Sequence, residues 1–305
     1  MSTGARGHGG IDVTSVIDRH ADEQGSPEGR EPASGVGTLH VEKGLGARAG
    51  RAARAFANQW PPILLFIAVL VGWELSVQVM AEPLRYLPPP SDVFGEIFGR
   101  PGFYWRHTQQ TLTEAGWGFL IGGSLAAVSA LLMAESSIMD RALLPLFVVI
   151  KVTPAVVLAP FFVVLLGFGM GPKIVLAALT LFYAMLINTV TGFKSVDEGA
   201  LEVLNSVNAS RIEIFLRLRL PNSLPYLFSA AKIGVPLAVL GAVFAEIYRS
   251  EIGLGNVIRV AGEFGIWPGL WGAIYVLAIT GLILIGSLTF LERKRLKWHV
   301  SQKGL

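Results

Sequence analysis

The sequence predicts an all-α integral membrane protein with six transmembrane helices, and three observations carry that prediction. First, 52% of its 305 residues are hydrophobic and only 15% are charged, whereas soluble domains carry about a quarter charged residues. Second, the mean hydropathy is +0.55, more apolar character than a water-facing core of this size can hide. Third, the apolar residues gather in repeated blocks of about 20, the length needed to cross a hydrocarbon layer of roughly 30 Å.

Residues 1–55 form a separate compositional block rich in Gly, Ser and Ala, with mixed charges and almost no aromatics. Such a segment buries too little apolar surface to offset its ordering entropy and reads as a disordered cytoplasmic tail. It does not read as a cleaved signal peptide, because the first apolar run starts only near Trp60 and has no A-x-A site behind it. Residues 56–298 form the transmembrane domain, and 299–305 are a short C-terminal cytoplasmic tail.

Within that domain the apolar stretches run from Ile63 to Ala81, Leu112 to Ala134, Leu143 to Phe168, Ile174 to Phe193, Tyr226 to Tyr248 and Leu270 to Leu291. An even number of crossings leaves both ends on one side. Arg48, Arg51 and Arg54 precede the first span, and Arg293, Lys294, Arg295 and Lys297 follow the last. The excess of basic residues at both ends places them in the cytoplasm, together with the loop between the fourth and fifth spans. In the opposite loops Arg85, Arg100, Arg106 and Arg259 are diluted by Glu82, Asp92, Glu96, Glu251 and Glu263. The first outer loop carries a stiff Leu-Pro-Pro-Pro run from Leu87, with Ser91 as the expected N-cap of a short interfacial helix. Gly167 to Pro172 reads as a tight turn between the third and fourth spans.

The loop at about 195–225 is more regular than a mere connector needs to be. Ala200, Leu201, Val203, Leu204 and Val207 recur at helical spacing. Asn208 stands where a helix-ending left-handed residue is needed, and Ser210 with Glu213 has the spacing of a capping box, so a second helix is expected from Arg211. Leu220-Pro221 is expected to end that helix, and Ser223 and Pro225 to open the fifth span. Spacing alone leaves two readings open for this elbow: an interfacial anchor, or a knob for a soluble partner.

From about Trp60 to Trp298 the chain resembles the permease subunits of binding-protein-dependent ABC importers, particularly the nitrate, sulfonate and taurine branch. The family signature is a cytoplasmic Glu-Ala-Ala loop, then a Gly, then Leu-Pro at a fixed interval. Counted back from Leu220 and Pro221, this sequence has Glu202, Val203 and Leu204 in the triplet and Asn208 in place of the Gly. The glutamate and Leu-Pro match; both alanines are replaced by larger residues, which implies a differently shaped partner groove. Further marks are Leu87 to Asp92, Lys151 to Pro154, Gly167 to Gly169, Asn188-Thr189, Gly253 to Gly255 and Leu291 to Lys294. The resemblance implies a type I importer: a permease homodimer in the bacterial cell membrane, ABC ATPase subunits docked on the elbow, and an extracytoplasmic solute-binding protein. It implies coupling through Glu202, Val203, Leu204, Val207, Asn208, Ser210, Arg211, Leu220 and Pro221. It also implies a small organic anion such as a sulfonate, or nitrate, as solute, with a heterocyclic nutrient or vitamin precursor as the alternative. ATP is then hydrolysed by the partner, and this chain holds no cofactor; it has no G-x-x-x-x-G-K-[ST] loop.

Charged residues inside apolar spans cost about 2.5 to 3.5 kcal/mol at the centre and are candidates for the translocation path. Glu74, Lys151 with its neighbours Thr153 and Pro154, and Glu246 are the candidates here. Lys151 reads either as a cationic wall for an anionic solute or as a structural lysine paired with Glu74 or snorkelling. Lys232 reads as a snorkelling residue, and Glu246 as a residue near the outer end of the fifth span. The chain has no cysteine, and its five histidines lack metal-ligand spacing. Its basic residues are scattered, which gives nucleic-acid binding no support. An ATP-independent secondary transporter would share the spans and buried charges, but not the capped elbow.

Overall fold

The computed structural model describes residues 61–62, 64–79 and 86–296. The expected tails at 1–55 and 299–305, and the limits of the first span at Ile63 and Ala81, lie outside them. Residues from Leu64 onward belong to one compact unit.

The helices are α1 (Leu64–Val79), α2 (Pro90–Gly99), α3 (Pro101–Glu135), α4 (Ser137–Val152), α5 (Ala159–Leu166), α6 (Gly171–Lys194), α7 (Glu198–Ser206), α8 (Arg211–Ile214), α9 (Leu220–Arg249), α10 (Leu254–Phe264) and α11 (Trp267–Arg295). Among the described residues, each of the six expected apolar segments contains helix. Among the described residues α3, α6, the helix Arg211–Tyr248 and α11 are each long and apolar enough to cross a bilayer, and α1 is a shorter apolar helix.

The third expected span, Leu143 to Phe168, is broken. Its arms, α4 and the segment Ala155–Leu166 that contains α5, are bent by 82° at Thr153-Pro154, and a 3-10 turn at Ala155–Leu158 leads into α5. Thr153 sits before Pro154 in an extended conformation (ψ 118°), as a residue preceding proline must. Pro154 has no N–H to continue the ladder, and the Thr153 hydroxyl donates back to the Val149 carbonyl at 2.9 Å.

Two expectations are corrected. Leu220-Pro221 does not end a helix, and Ser223 and Pro225 do not open one. Phe215–Arg219 forms a π-turn in which the Leu220 N–H reaches the Phe215 carbonyl, and the chain continues as a single helix over Arg211–Tyr248. The wider turn loosens the backbone just where proline would clash with the preceding turn. At the other boundary α2 starts at Pro90 with Pro89 at its N-cap. Ser91 instead gives its N–H and hydroxyl to the Glu74 carboxylate, at 3.1 and 2.9 Å.

The core is the contact of α3, α6 and α9. Gly241 makes it close: a Cβ there would lie 2.7 Å from Ala177 Cα and 2.8 Å from the Leu176 carbonyl oxygen. Around that seam Leu181, Leu186, Ala126, Ala130, Ala230 and Ala242 are fully buried. α11 carries a broad exposed apolar face, including Leu282 and Ile283, as a lipid-facing helix requires. Trp73 on α1 packs on Trp271 and Tyr275 of α11, and Trp271 Nε1 donates to the Tyr86 carbonyl at 3.0 Å.

Candidate coupling elbow and the polar junction at the opposite end

The elbow forms from its own sequence. Asp197 caps α7, its carboxylate accepting from the Ala200 N–H at 3.0 Å. At the other end Asn208 adopts φ 51°. The Asn208 N–H bonds the Asn205 carbonyl and the Ala209 N–H the Leu204 carbonyl, both at 3.0 Å, the paired bonds of a Schellman ending. The expected capping box is complete: the Glu213 N–H donates to Ser210 Oγ at 3.2 Å, and the Ser210 N–H to Glu213 Oε2 at 2.9 Å. Those bonds from the Ser210 backbone and hydroxyl hold the Glu213 carboxyl below its usual range.

Glu202, Val203, Val207, Asn208, Ser210 and Arg211 are exposed, while Leu204, Leu220 and Pro221 are half-buried. Val203 at 65%, Val207 at 69% and Ile212 at 72% exposure put apolar surface on an otherwise polar elbow. The elbow is tied to the bundle by Arg219, which pairs with Glu135 at 3.3 Å, and by Asn222, whose amide donates to the Ser195 carbonyl at 2.9 Å. Lys194 pairs with Asp140 at 2.8 Å at the same end.

The candidate path residues do not form one site. Glu74 accepts from Ser91 and from Gln78, so the expected alternative of a Glu74–Lys151 pair is replaced by an α1–α2 tie. Lys151, exposed with Thr153 and Pro154, places its ammonium 4.9 Å from the centre of the Tyr183 ring, a cation–π contact. Lys232 pairs with Glu292 at 2.7 Å rather than simply reaching for an interface.

Glu246 is fully buried at the centre of a junction that the sequence reading did not assemble. Its Oε1 accepts from Thr111 Oγ1 and its Oε2 from the Gly255 N–H, both at 2.7 Å. Thr111 Oγ1 accepts from the Leu254 N–H at 2.9 Å, and His107 Nδ1 lies 2.9 Å from the Gly253 carbonyl oxygen and 3.0 Å from its nitrogen. Beside it Glu114, also with no exposed surface, pairs with Lys173 at 2.7 Å, and Lys173 donates to Ser250 Oγ at 2.7 Å. Neither Glu114 nor Lys173 was among the sequence candidates, although Glu114 is a carboxylate inside the second apolar stretch; Lys173, 59 residues away in sequence, lies at the start of the fourth.

The described residues form an all-helical bundle with a capped elbow between two spans. Residues 118–297 match the family described as the binding-protein-dependent transport system inner membrane component, and the chain belongs to that family. It is thus an ABC importer permease of the inner membrane. It is 29% identical over 241 residues to the formylaminopyrimidine transport permease protein ThiX of Halalkalibacterium halodurans, covering 79% of this chain and 96% of that one. It is 28% identical over 255 residues to the putative aliphatic sulfonates transport permease protein SsuC of Bacillus subtilis, covering 80% and 90%. Its fold matches a chain of the inward-facing MetNI methionine ABC transporter with a TM-score of 0.55 at 18% identity, over 66% of this chain and 97% of that one.

Proposed function

We propose that this permease works as a homodimer, takes a small solute from an extracytoplasmic binding protein and passes it to the cytoplasm when ABC ATPases act on the α7–α8 elbow. The observation that carries the reading is the elbow itself. Its two helices are separately capped and joined by a left-handed Asn208, yet it exposes Val203, Val207 and Ile212. A stiff, capped element presenting apolar side chains to water suits a groove on a soluble partner. Both chain ends and the elbow face the cytoplasm in this reading, which the basic residues at Arg293–Arg295 support.

The solute is a small organic anion such as a sulfonate, or nitrate, with Lys151 as the cation that meets it. The sulfonate permease relative and the exposed position of Lys151 support this. A heterocyclic nutrient is the second reading, favoured by the formylaminopyrimidine permease relative.

Copurification tests the docking. Leu204→Asp and Glu202→Arg should each strip the ATPase from the solubilised complex; an ATPase retained through both changes refutes docking at the elbow. Lys151→Met should abolish uptake of an anion with assembly intact, and leave uptake unchanged if the solute is a neutral heterocycle.

A further inference from the structure

The helix that begins in the elbow also ends in the buried junction. From Arg211 to Tyr248 it runs for 38 residues, about 57 Å at 1.5 Å per residue. Its first turn carries the capping box, and Glu246 lies in its last turn. The elbow and the junction are therefore two ends of one rod, and a displacement of either end is carried by the helix backbone.

At the junction, α9 grips the chain that follows it through one side chain. The two Glu246 oxygens take Thr111 on α3 and the Gly255 N–H at the start of α10. Both bonds are 2.7 Å long. A hydrocarbon side chain would fill the same space without grasping a backbone N–H, and the turn would follow α9 only loosely. There is no slack around the grip: a Cβ on Gly253 would overlap the Glu246 carboxylate, and one on Gly255 would come 2.8 Å from Glu246 Cβ. Space lies on the far side of the turn. Ser250, Glu251 and Ile252 face Gly169, Met170 and Lys173 across a cavity of about 470 Å³, so the turn has room to swing toward the α5–α6 corner.

The geometry assigns Glu246 as a positioning residue for transport: it is the link that carries movement of the elbow end of the rod to the Ser250–Gly255 turn and α10, changing the cavity beside them. The inference rests on the elbow being the ATPase dock. It names no contact with solute, and Glu114–Lys173 serves as the fixed support behind the link, joining α3 to α6.

The test uses the whole complex, permease with ATPase and binding protein, in proteoliposomes. The chain has no cysteine, so Ile252→Cys, half-buried on the cavity wall, is a single reporter on this subunit. Its rate of modification by an impermeant maleimide should differ about fivefold or more between nucleotide-free and ATP–vanadate states. With Glu246→Ala added, that difference should vanish, and uptake should be lost while ATP hydrolysis per assembled complex continues. Glu246→Gln keeps an oxygen for the Gly255 N–H and should restore state-dependent labelling and uptake. Thr111→Val removes one of the two grips and should lower the ratio of uptake to hydrolysis; it supplies the comparison if Glu246→Ala does not assemble. The inference is overturned if labelling of the parent reporter ignores nucleotide, if Glu246→Ala leaves the labelling difference in place, if uptake and hydrolysis fall together, or if neither variant assembles, which would assign the junction to folding alone. Failure of the docking reading is separate and appears as a parent chain that holds no ATPase.

Discussion

Replacing Lys173 by methionine should be among the most damaging single changes to this fold. Lys173 and Glu114 are 7% and 0% exposed at their side chains and 2.7 Å apart. Glu114 Oε1 also accepts from Gln110 at 2.7 Å, but Oε2 is buried without a hydrogen-bond partner, so the lysine is the main compensation for the charge. Deleting one member of a buried pair costs about 3–5 kcal/mol, because the survivor stays desolvated, whereas replacing both members by side chains of matching size is often neutral. Glu114→Gln together with Lys173→Met should recover most of the loss. Thermal melting of the detergent-solubilised complex, run as a double-mutant cycle, measures the coupling. The reasoning is refuted if Lys173→Met melts within a degree or two of the parent, or if the double variant is no more stable than the single one.

Three other outcomes follow from the same geometry. Ser210→Ala removes one of the capping bonds of α8 and should cost about 1 kcal/mol, while Asn208→Val forces a β-branched residue to φ 51° and should cost about 1–2 kcal/mol; both are read as weaker ATPase retention, and Asn208→Gly should retain it. Gly241→Val drives a side chain into the Ala177 backbone and should sharply reduce the folded yield, measured by size-exclusion chromatography, whereas Gly281→Val, with nothing within 4 Å, should leave it unchanged. The Glu213 carboxyl titrates below its ordinary value of 4.5 in the folded elbow. Its contribution is therefore complete above that value and lost as the pH falls through the lowered one. Amide exchange protection at residues 211–214, corrected for intrinsic rates, should be flat from pH 7 to about 5 and fall only below about 4; a fall beginning at pH 6 would contradict the cap.

What could be read from the sequence was whatever is local. Six apolar segments follow from composition, and Asn208, Ser210 and Glu213 form their joint through neighbours three residues apart or fewer. The break at Thr153-Pro154 was visible as residues but not as a direction: hydropathy records that a segment is apolar, not that it turns by 82°. Leu220-Pro221 misled because the rule against proline assumes α-helical spacing, and a π-turn preceded it. α10 is too short to stand out and was hidden among outer-loop residues. The junction was hardest, because its members come from α3, α6, α9 and the turn after α9. Each of its charges looked costly or peripheral alone, and only tertiary proximity makes them partners.

The π-turn at Phe215–Arg219 also lets the helix hold one extra residue without swinging the elbow. A turn closed five residues back holds one residue more than an α-turn, so excising any single residue from 215–219 would let the helix revert to regular winding. A π-turn and an α-turn each close about one revolution, so that excision would leave the rod nearly the same length and α7 aimed nearly as before. Tolerance of a single-residue deletion, rather than bearing, is what this extra residue supplies.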